Sequence, residues 1–321
     1  MLRNLGREDE ENSSSMEYST IQQVNLSNNQ FQLQKFNTQG LVNDGSSLLF
    51  CISVDGSDHS DNAFDVVTRE FLSAESKMVL IHVFNNKYND SYNYRNRKET
   101  VISTYGSKLT LVPQQCNFLI ENRSRQGTHA LEQVYATASK VNANYLVTGY
   151  YGIKGPKGDN NELSKGTNYL LASSTMPIIM MKDTKRRDQL PSGGFNWLFV
   201  FDKKYSSPFR CFQAFAPLVD SQRDFVYGFT LKDVYSQESD DIQEDFINEV
   251  QMRGIKNFQY EQNVYEQVAS KIVTSKVNYG DINFDFVVIY NNSSDYRNEK
   301  DQSDIGNIVK NCAASICIYQ V

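Results

Sequence analysis

The sequence predicts two Rossmann-like α/β domains in tandem, each a doubly wound, parallel five-stranded sheet. Three observations carry this. At 321 residues the chain is longer than one compact core usually organises. Short uninterrupted apolar runs alternate with amphipathic stretches, as parallel strands covered by helices on both faces require. The alternation then restarts beyond a Pro/Gly-bearing segment that ends near residue 194.

Residues 1–44 are rich in Ser, Asn, Gln and Glu and read as a disordered tail. The scattered apolar residues of IQQVNLSNNQFQLQKF offer a second reading, an arm that orders on a protein partner. The first domain, 45–183, opens with SLLFCISV (47–54), a buried strand ending at Asp55, and a helix is expected from His59 to Leu72. MVLIHVF (78–84) is the second strand, and the polar NNKYNDSYNYRNR after it should be exposed. A helix over 99–109, a strand over 117–120, a helix over 128–141 and the strand YLVT (145–148) follow. After a Gly-bearing loop come a helix over 165–174 and the strand PIIMM, whose Pro177 suits a strand's first position.

The charged, then Pro/Gly-bearing segment 184–195 reads as a linker. In the second domain, 196–321, WLFVFD repeats the pattern of LFCISVD, and FVYGFTL, IKNFQYE, FDFVVIY and SICIY supply the remaining strands, with a helix over 264–277. Asp202 and the pair Gly306-Asn307 are spaced much as Asp55 and the pair Gly166-Thr167 are, as a duplication would leave them.

Composition narrows the function classes. A net charge of −6 without clustered Lys and Arg disfavours nucleic acid and anionic membrane surfaces as partners. No run reaches the roughly 18–20 apolar residues of a spanning helix. The acidic opening MLRNLGREDEENSSS resembles neither a secretory signal nor a mitochondrial presequence. The five cysteines are odd in number and lack a C-x-x-C pair, which suits a reduced cytoplasm. Cys51 and Cys317, inside apolar runs, read as small buried hydrophobes. His59, His82 and His129 lack metal-ligand spacing, and His82 within its strand reads as a satisfied interior side chain. Neither a Walker loop nor a G-x-S-x-G elbow is present. Ser192-Gly193-Gly194 precedes its strand rather than following it, unlike the glycine loop of adenylating enzymes. No catalytic residue is nominated.

The chemistry concentrates where two strands end. In an open parallel sheet, ligands bind outside the carboxyl ends of strands at the topological switch point. Asp55 ends the first strand, and GYYGIKGPKGDNNELSKGT, from Gly149, follows the fourth. Glycines let backbone approach phosphate oxygens, and amides at a helix start donate to anions. Lys154, Lys157 and Lys165 lie on or beside this loop, where such lysines are usually solvated, and Tyr150 and Tyr151 suit surface packing. Val54-Asp55-Gly56-Ser57, Gly149-x2-Gly152 and Gly166-Thr167 resemble the V-D-G-S strand end and G-x2-G-x9-G-[ST] loop of the universal stress protein family. Thirteen residues stand between Gly152 and Gly166, four more than that pattern.

The resemblance implies an adenine nucleotide alpha hydrolase-like fold and a noncatalytic protein that binds or senses ATP, ADP or AMP, with or without Mg. The backbone around Val54 and Val83, with Asp55, would hold adenine and ribose. Gly149, Gly152, Gly166 and Thr167 would take the phosphates. A bulky residue at Gly166 is expected to remove binding and leave the fold intact. In the second domain Tyr290 and Ser293 stand for Gly149 and Gly152, and Asn307 for Thr167, so that half is expected to bind no nucleotide. The resemblance also implies pairing through the last strands, PIIMM with SICIY, making the tandem an internal pseudo-dimer that itself admits homodimerisation. The second half would then serve as a scaffold covering a sheet edge. Two alternatives stand beside this: a nucleotide-independent interaction module in a larger assembly, for instance a cytoskeletal or ciliary one, and a weak nucleotide hydrolase.

Overall fold

The computed structural model describes residues 21–27, 30–35, 42–43, 45–84, 97–122, 129–152, 162–202, 209–233, 241–265, 269–292, 296–297 and 303–320. The expected exposed segment after the second strand, and most of the loop after Gly152 with Lys154 and Lys157, lie outside these residues. Their neighbours form the alternation the sequence predicts. In the first half β3 (Leu49–Ser53), α1 (Asp58–Val66), β4 (Lys77–Phe84), α2 (Lys98–Leu109), β5 (Gln115–Asn122), α3 (Ala130–Lys140), β6 (Tyr145–Gly149), α4 (Lys165–Ser173) and β7 (Ile178–Met181) succeed one another. The second half repeats this with β8 (Asn196–Asp202), α5 (Phe209–Phe215), β9 (Phe225–Asp233), α6 (Asp241–Met252), β10 (Asn257–Tyr265), α7 (Ala269–Tyr279), β11 (Phe286–Asn291), α8 (Asp304–Asn311) and β12 (Ser315–Gln320).

Each half is a parallel five-stranded sheet, in the order β5-β4-β3-β6-β7 and β10-β9-β8-β11-β12. The two fuse where β12 runs antiparallel to β7, with Ile316 opposite Met180, Cys317 opposite Ile179 and Ile318 opposite Ile178. The last strands therefore pair within the chain, and the tandem is an internal pseudo-dimer. Because strand side chains alternate between faces, the fused sheet carries one apolar core on each side, and each core runs through both halves. The helices α3, α4, α7 and α8 cover one core, and α1, α2, α5 and α6 the other.

The tail expected to be disordered contains a hairpin, a correction to the sequence reading. The strands β1 (Ile21–Ser27) and β2 (Gln30–Lys35) pair with each other, and β1 lies antiparallel on β5. Ile21 packs on one core and Val24 on the other. The segment cannot pay for its own ordering; the edge of β5 supplies the hydrogen-bonding template and the apolar cover. The arm docks, and it docks on its own chain.

Two helix boundaries also moved. α1 gives way to a π-helical turn over Val67–Phe71, closed by the Leu72 amide on the Val67 carbonyl at 3.1 Å. This turn points Phe71 across the seam onto Phe195, Trp197 and Phe286, with ring centroids 5.8–6.2 Å away. The helix expected over 264–277 starts only at Ala269, because β10 continues along β9 as far as Tyr265 opposite Asp233.

The linker is structural. Arg187, 2% exposed, donates to Asp224 Oδ1 and Oδ2 at 2.7 and 2.6 Å, to the Leu218 carbonyl, and to the Glu70 carbonyl and carboxylate. Asp224, wholly buried, also accepts from the Phe195 and Asp220 amides and the Trp197 indole. One guanidinium thus ties the first half to the second through a fully bonded ion cluster. Across the seam the helix ends are capped reciprocally. The Gln320 and Asn291 amides donate to the Leu171 carbonyl at the end of α4, and Lys182 Nζ donates to the Val309 and Cys312 carbonyls at the end of α8.

Asp224→Ala strands the Arg187 charge and is expected to cost about 3–5 kcal/mol, read from the urea midpoint; a loss below about 1 kcal/mol would refute the role given to the cluster. Burial pushes the Lys182 ammonium down to about 8 from 10.5. Between those values the unfolded chain holds a proton that the folded one has released, so stability rises with pH across this window. Relative to Lys182→Met, the native chain should gain on the order of 2–3 kcal/mol from pH 7.5 to 10.5, measured by denaturation at each pH.

Candidate functional site

The site grows from the cap of α1. Ser57, in extended conformation, accepts the Ser60 amide at 3.2 Å, and Asp58 and Asp61 sit in the first turn where the helix dipole favours acids. Asp55 Oδ1 accepts the Ser57 amide at 3.0 Å, an Asx turn that fixes its carboxylate at the carboxyl end of β3. The Ser60 hydroxyl, shared with Tyr105 at 2.9 Å, faces the Asp55 amide at 3.4 Å.

The end of β6 comes down onto this cap. Gly149 passes so close to α1 that an added Cβ would stand 2.8 Å from the His59 Cβ and 3.0 Å from the Ser60 amide nitrogen. Two residues on, the Tyr151 amide donates to His59 Nδ1 at 3.1 Å, the two rings stack at 5.7 Å, and the Ser57 hydroxyl reaches the Tyr151 carbonyl. Exposed Gly152 then lies over Asp55, where a Cβ would meet Oδ2 at 2.7 Å. Asp55, Gly149 and Gly152 are thus brought together beside the cap of α1, at the carboxyl ends of β3 and β6.

The other expected residues are placed differently. The Val54 backbone is already engaged: its amide donates to the Ile81 carbonyl at 3.0 Å and its carbonyl accepts from His82 Nδ1 at 2.8 Å. Val83 lies near the end of β4, opposite Glu121 of β5, and packs on the core. Gly166 is buried inside α4, where a Cβ would press on Leu131 of α3 at 2.9 Å. A bulky residue there would therefore force α4 off α3, and the expectation that the fold would survive it is corrected. Thr167 is 4% exposed; its amide donates to Ser164 Oγ at 3.0 Å and its hydroxyl lies 2.9 Å from the same atom. Lys165 is exposed, whereas Tyr150 is buried beneath the Lys182 ammonium, 4.3 Å from the ring centre, rather than packed on the surface.

His82 is wholly buried, and burial lowers its pKa, keeping it neutral. Its Nε2 has no hydrogen-bond partner among the described residues. Sequence reasoning missed Ser164 and passed over His59, the two side chains that organise the loop's ends. Ser164 had a signal, a serine three residues before the amide it caps; His59 meets Tyr151 from 92 positions away and had none. Among the described residues no group of three or more His, Cys, Asp and Glu side chains could hold a metal ion. Nor is any described helix long and apolar enough to cross a membrane.

The second half keeps the cap and carries a tyrosine where the first half has the first glycine of the loop. Ser303 caps α8 by accepting the Gly306 amide, as Ser164 accepts that of Thr167. Aligned on these caps, Ile305 stands for Gly166 and Gly306 for Thr167, one residue off the pairing read from the sequence. Tyr290 in β11 occupies the place of Gly149; Ser293 lies outside the described residues.

A fused pair of doubly wound parallel sheets defines the class as a tandem, Rossmann-like α/β protein. Within it, the fold is that of the universal stress proteins. A universal stress protein from Archaeoglobus fulgidus DSM 4304 superposes with a TM-score of 0.58 at 10% identity, covering 85% of this chain and 96% of that one. Also similar are the cytoplasmic domain of a prokaryotic cation chloride cotransporter (TM-score 0.47, 8% identity, 85% of this chain and 94% of that one) and a universal stress protein family protein from Arabidopsis thaliana with AMP bound (TM-score 0.31, 15% identity, 45% and 97%). No protein-family model matches the sequence, and neither does any curated protein.

Gly149→Ala sets a side chain against the backbone of α1 and should destabilise by about 1–3 kcal/mol, whereas Gly152→Ala should change stability by less than about 0.5 kcal/mol. Paired melting curves of the two variants check this; equal losses would place Gly152 in the packing rather than at an open position over Asp55.

Proposed function

We propose that the first half binds an adenine nucleotide without turning it over, and that occupancy regulates the chain by fixing one arrangement of the loop between β6 and α4. The observation that carries this reading is Gly152 over Asp55. An oriented carboxylate suited to ribose hydroxyls lies under a backbone with no side chain in the way, at the point of the sheet where ligands bind. Gly149 starts that loop and the amino end of α4 closes it, so the amides of Lys165 and Gly166 are the donors available to a phosphate. Thr167 contributes through Ser164, to which its amide and hydroxyl are already bound. The fold shared with the universal stress proteins supports the reading, and regulation by occupancy follows from linkage, since a ligand of the native state shifts whatever equilibrium that state enters.

The second reading, a nucleotide-independent interaction module, is favoured by one specific observation. Ser164 already satisfies an amide of the α4 amino end, and Gly166 is occupied with helix packing, which leaves fewer donors for phosphate than the sequence motif implies.

Thermal melting with ATP, ADP and AMP separates the two. Nucleotide at a hundred times its Kd should stabilise the chain by about 2.7 kcal/mol. Gly152→Val, which displaces the Asp55 carboxylate and its bond to the Ser57 amide, should remove the shift at a cost of about 1 kcal/mol to the ligand-free chain, which stays folded. No shift with any of the three at millimolar concentration would refute the binding reading and leave the interaction module.

A further inference from the structure

The two ends of the sheet differ, and the duplication shows what one of them lacks. In the first half β1 closes the outer edge of β5, with Ile21 opposite Glu121, Gln22 opposite Ile120 and Gln23 opposite Leu119. Ile21 joins the core that α3 covers. Under it Glu121 is 2% exposed and bonded to Thr137 of α3, and burial raises its pKa.

The corresponding residues of the second half follow from register. Leu80 of β4 lies between Ile52 and Phe118, and Gly228 of β9 between Phe199 and Tyr260. Leu119, Ile120 and Glu121 therefore correspond to Glu261, Gln262 and Asn263 of β10. But among the described residues β10 is the terminal strand of the sheet. Between it and α7, the counterpart of α3, lies a cleft of about 320 Å³ lined by Phe229, Glu261, Asn263, Lys271, Ile272, Ser275 and Lys276. The nine residues of β10 include no Pro or Lys, and their one charged side chain, Glu261, is tied to Lys276 at 2.7 Å. Of the usual devices that blunt a sheet edge, β10 has the inward-facing charge of Glu261, opposite Phe229, but no Pro, Lys or bulge.

We propose that β10 accepts an antiparallel extended strand from a protein partner, whose branched aliphatic side chain enters this cleft opposite Asn263 as Ile21 does opposite Glu121. The mode is strand addition: backbone hydrogen bonds supply affinity, and the cleft selects one side chain. β1 is the pattern for such a strand, an aliphatic residue followed by amide side chains and no charge, IQQVNLS. The interaction is separate from the nucleotide reading and stands or falls without it.

The test uses the full chain and a synthetic peptide of sequence IQQVNLS. Binding should slow amide exchange in Asn257–Tyr265 by about tenfold or more. Ser275→Trp at an exposed position, which fills the cleft, and Asn263→Lys, which sets a charge there, should each weaken the peptide by at least about tenfold with unchanged melting temperature. No binding, or binding indifferent to both substitutions, overturns the proposal. So does protection at Gln115–Asn122 instead, which would mean the peptide merely exchanges with the chain's own β1. Protection of β10 that needs no peptide and grows with protein concentration would assign the edge to a second copy and would also overturn it.

Discussion

The antiparallel join of β7 to β12 is the constraint on which the molecule depends. Each five-stranded half ends in a strand buried on both faces, and such a strand cannot stand as an open edge without leaving backbone groups unsatisfied in an apolar setting. Pairing the two removes both edges at once and merges four half-cores into two continuous ones. The remaining seam contacts follow from that geometry. The two-fold relation places Lys182 and Gln320 at matching positions, so each half ends by capping the last carbonyls of the other half's final helix. The charge is on one side only, which makes the pseudo-symmetric seam chemically asymmetric.

Most of the fold was legible because its signals are local. Buried parallel strands announce themselves as apolar runs, and of the twelve strands among the described residues ten lie where LLFCISV, MVLIHVF, SICIY and their counterparts place them. What was not legible depends on partners distant in sequence. The hairpin of β1 and β2 has no core of its own and forms because β5 offers an edge; the alternation of Val24, Leu26, Phe31 and Leu33 with polar residues was its one local signal. Arg187 looked like one cation in a charged linker, and only the folded chain shows Asp224 and Glu70 closing on it. The turn at Val67–Phe71 likewise answers to an aromatic cluster whose other members lie in the second half.

The candidate site was legible in part, for the same reason. Asp55, Gly149 and Gly152 sit at strand ends, and topology alone brings such ends together. Gly166 and Thr167 lie within a helix, where the demand for close packing on Leu131 and for an amino-terminal cap by Ser164 also selects a glycine and a small hydroxyl residue. A motif written as a string of residue types merges these requirements; the structure separates the glycine that leaves room above a carboxylate from those that admit a neighbouring helix.

The same seam sets the order of events on the ribosome. β7 is synthesised well over a hundred residues before β12, so at about 5–20 residues per second a nascent first half presents a bare apolar strand for on the order of ten seconds. Local pairing within each half is quick by comparison, and the join is the contact of longest sequence separation in the core of the sheet. The first half is thus born with its most adhesive edge uncovered, and its protection during that interval falls to whatever in the cell shields nascent strands.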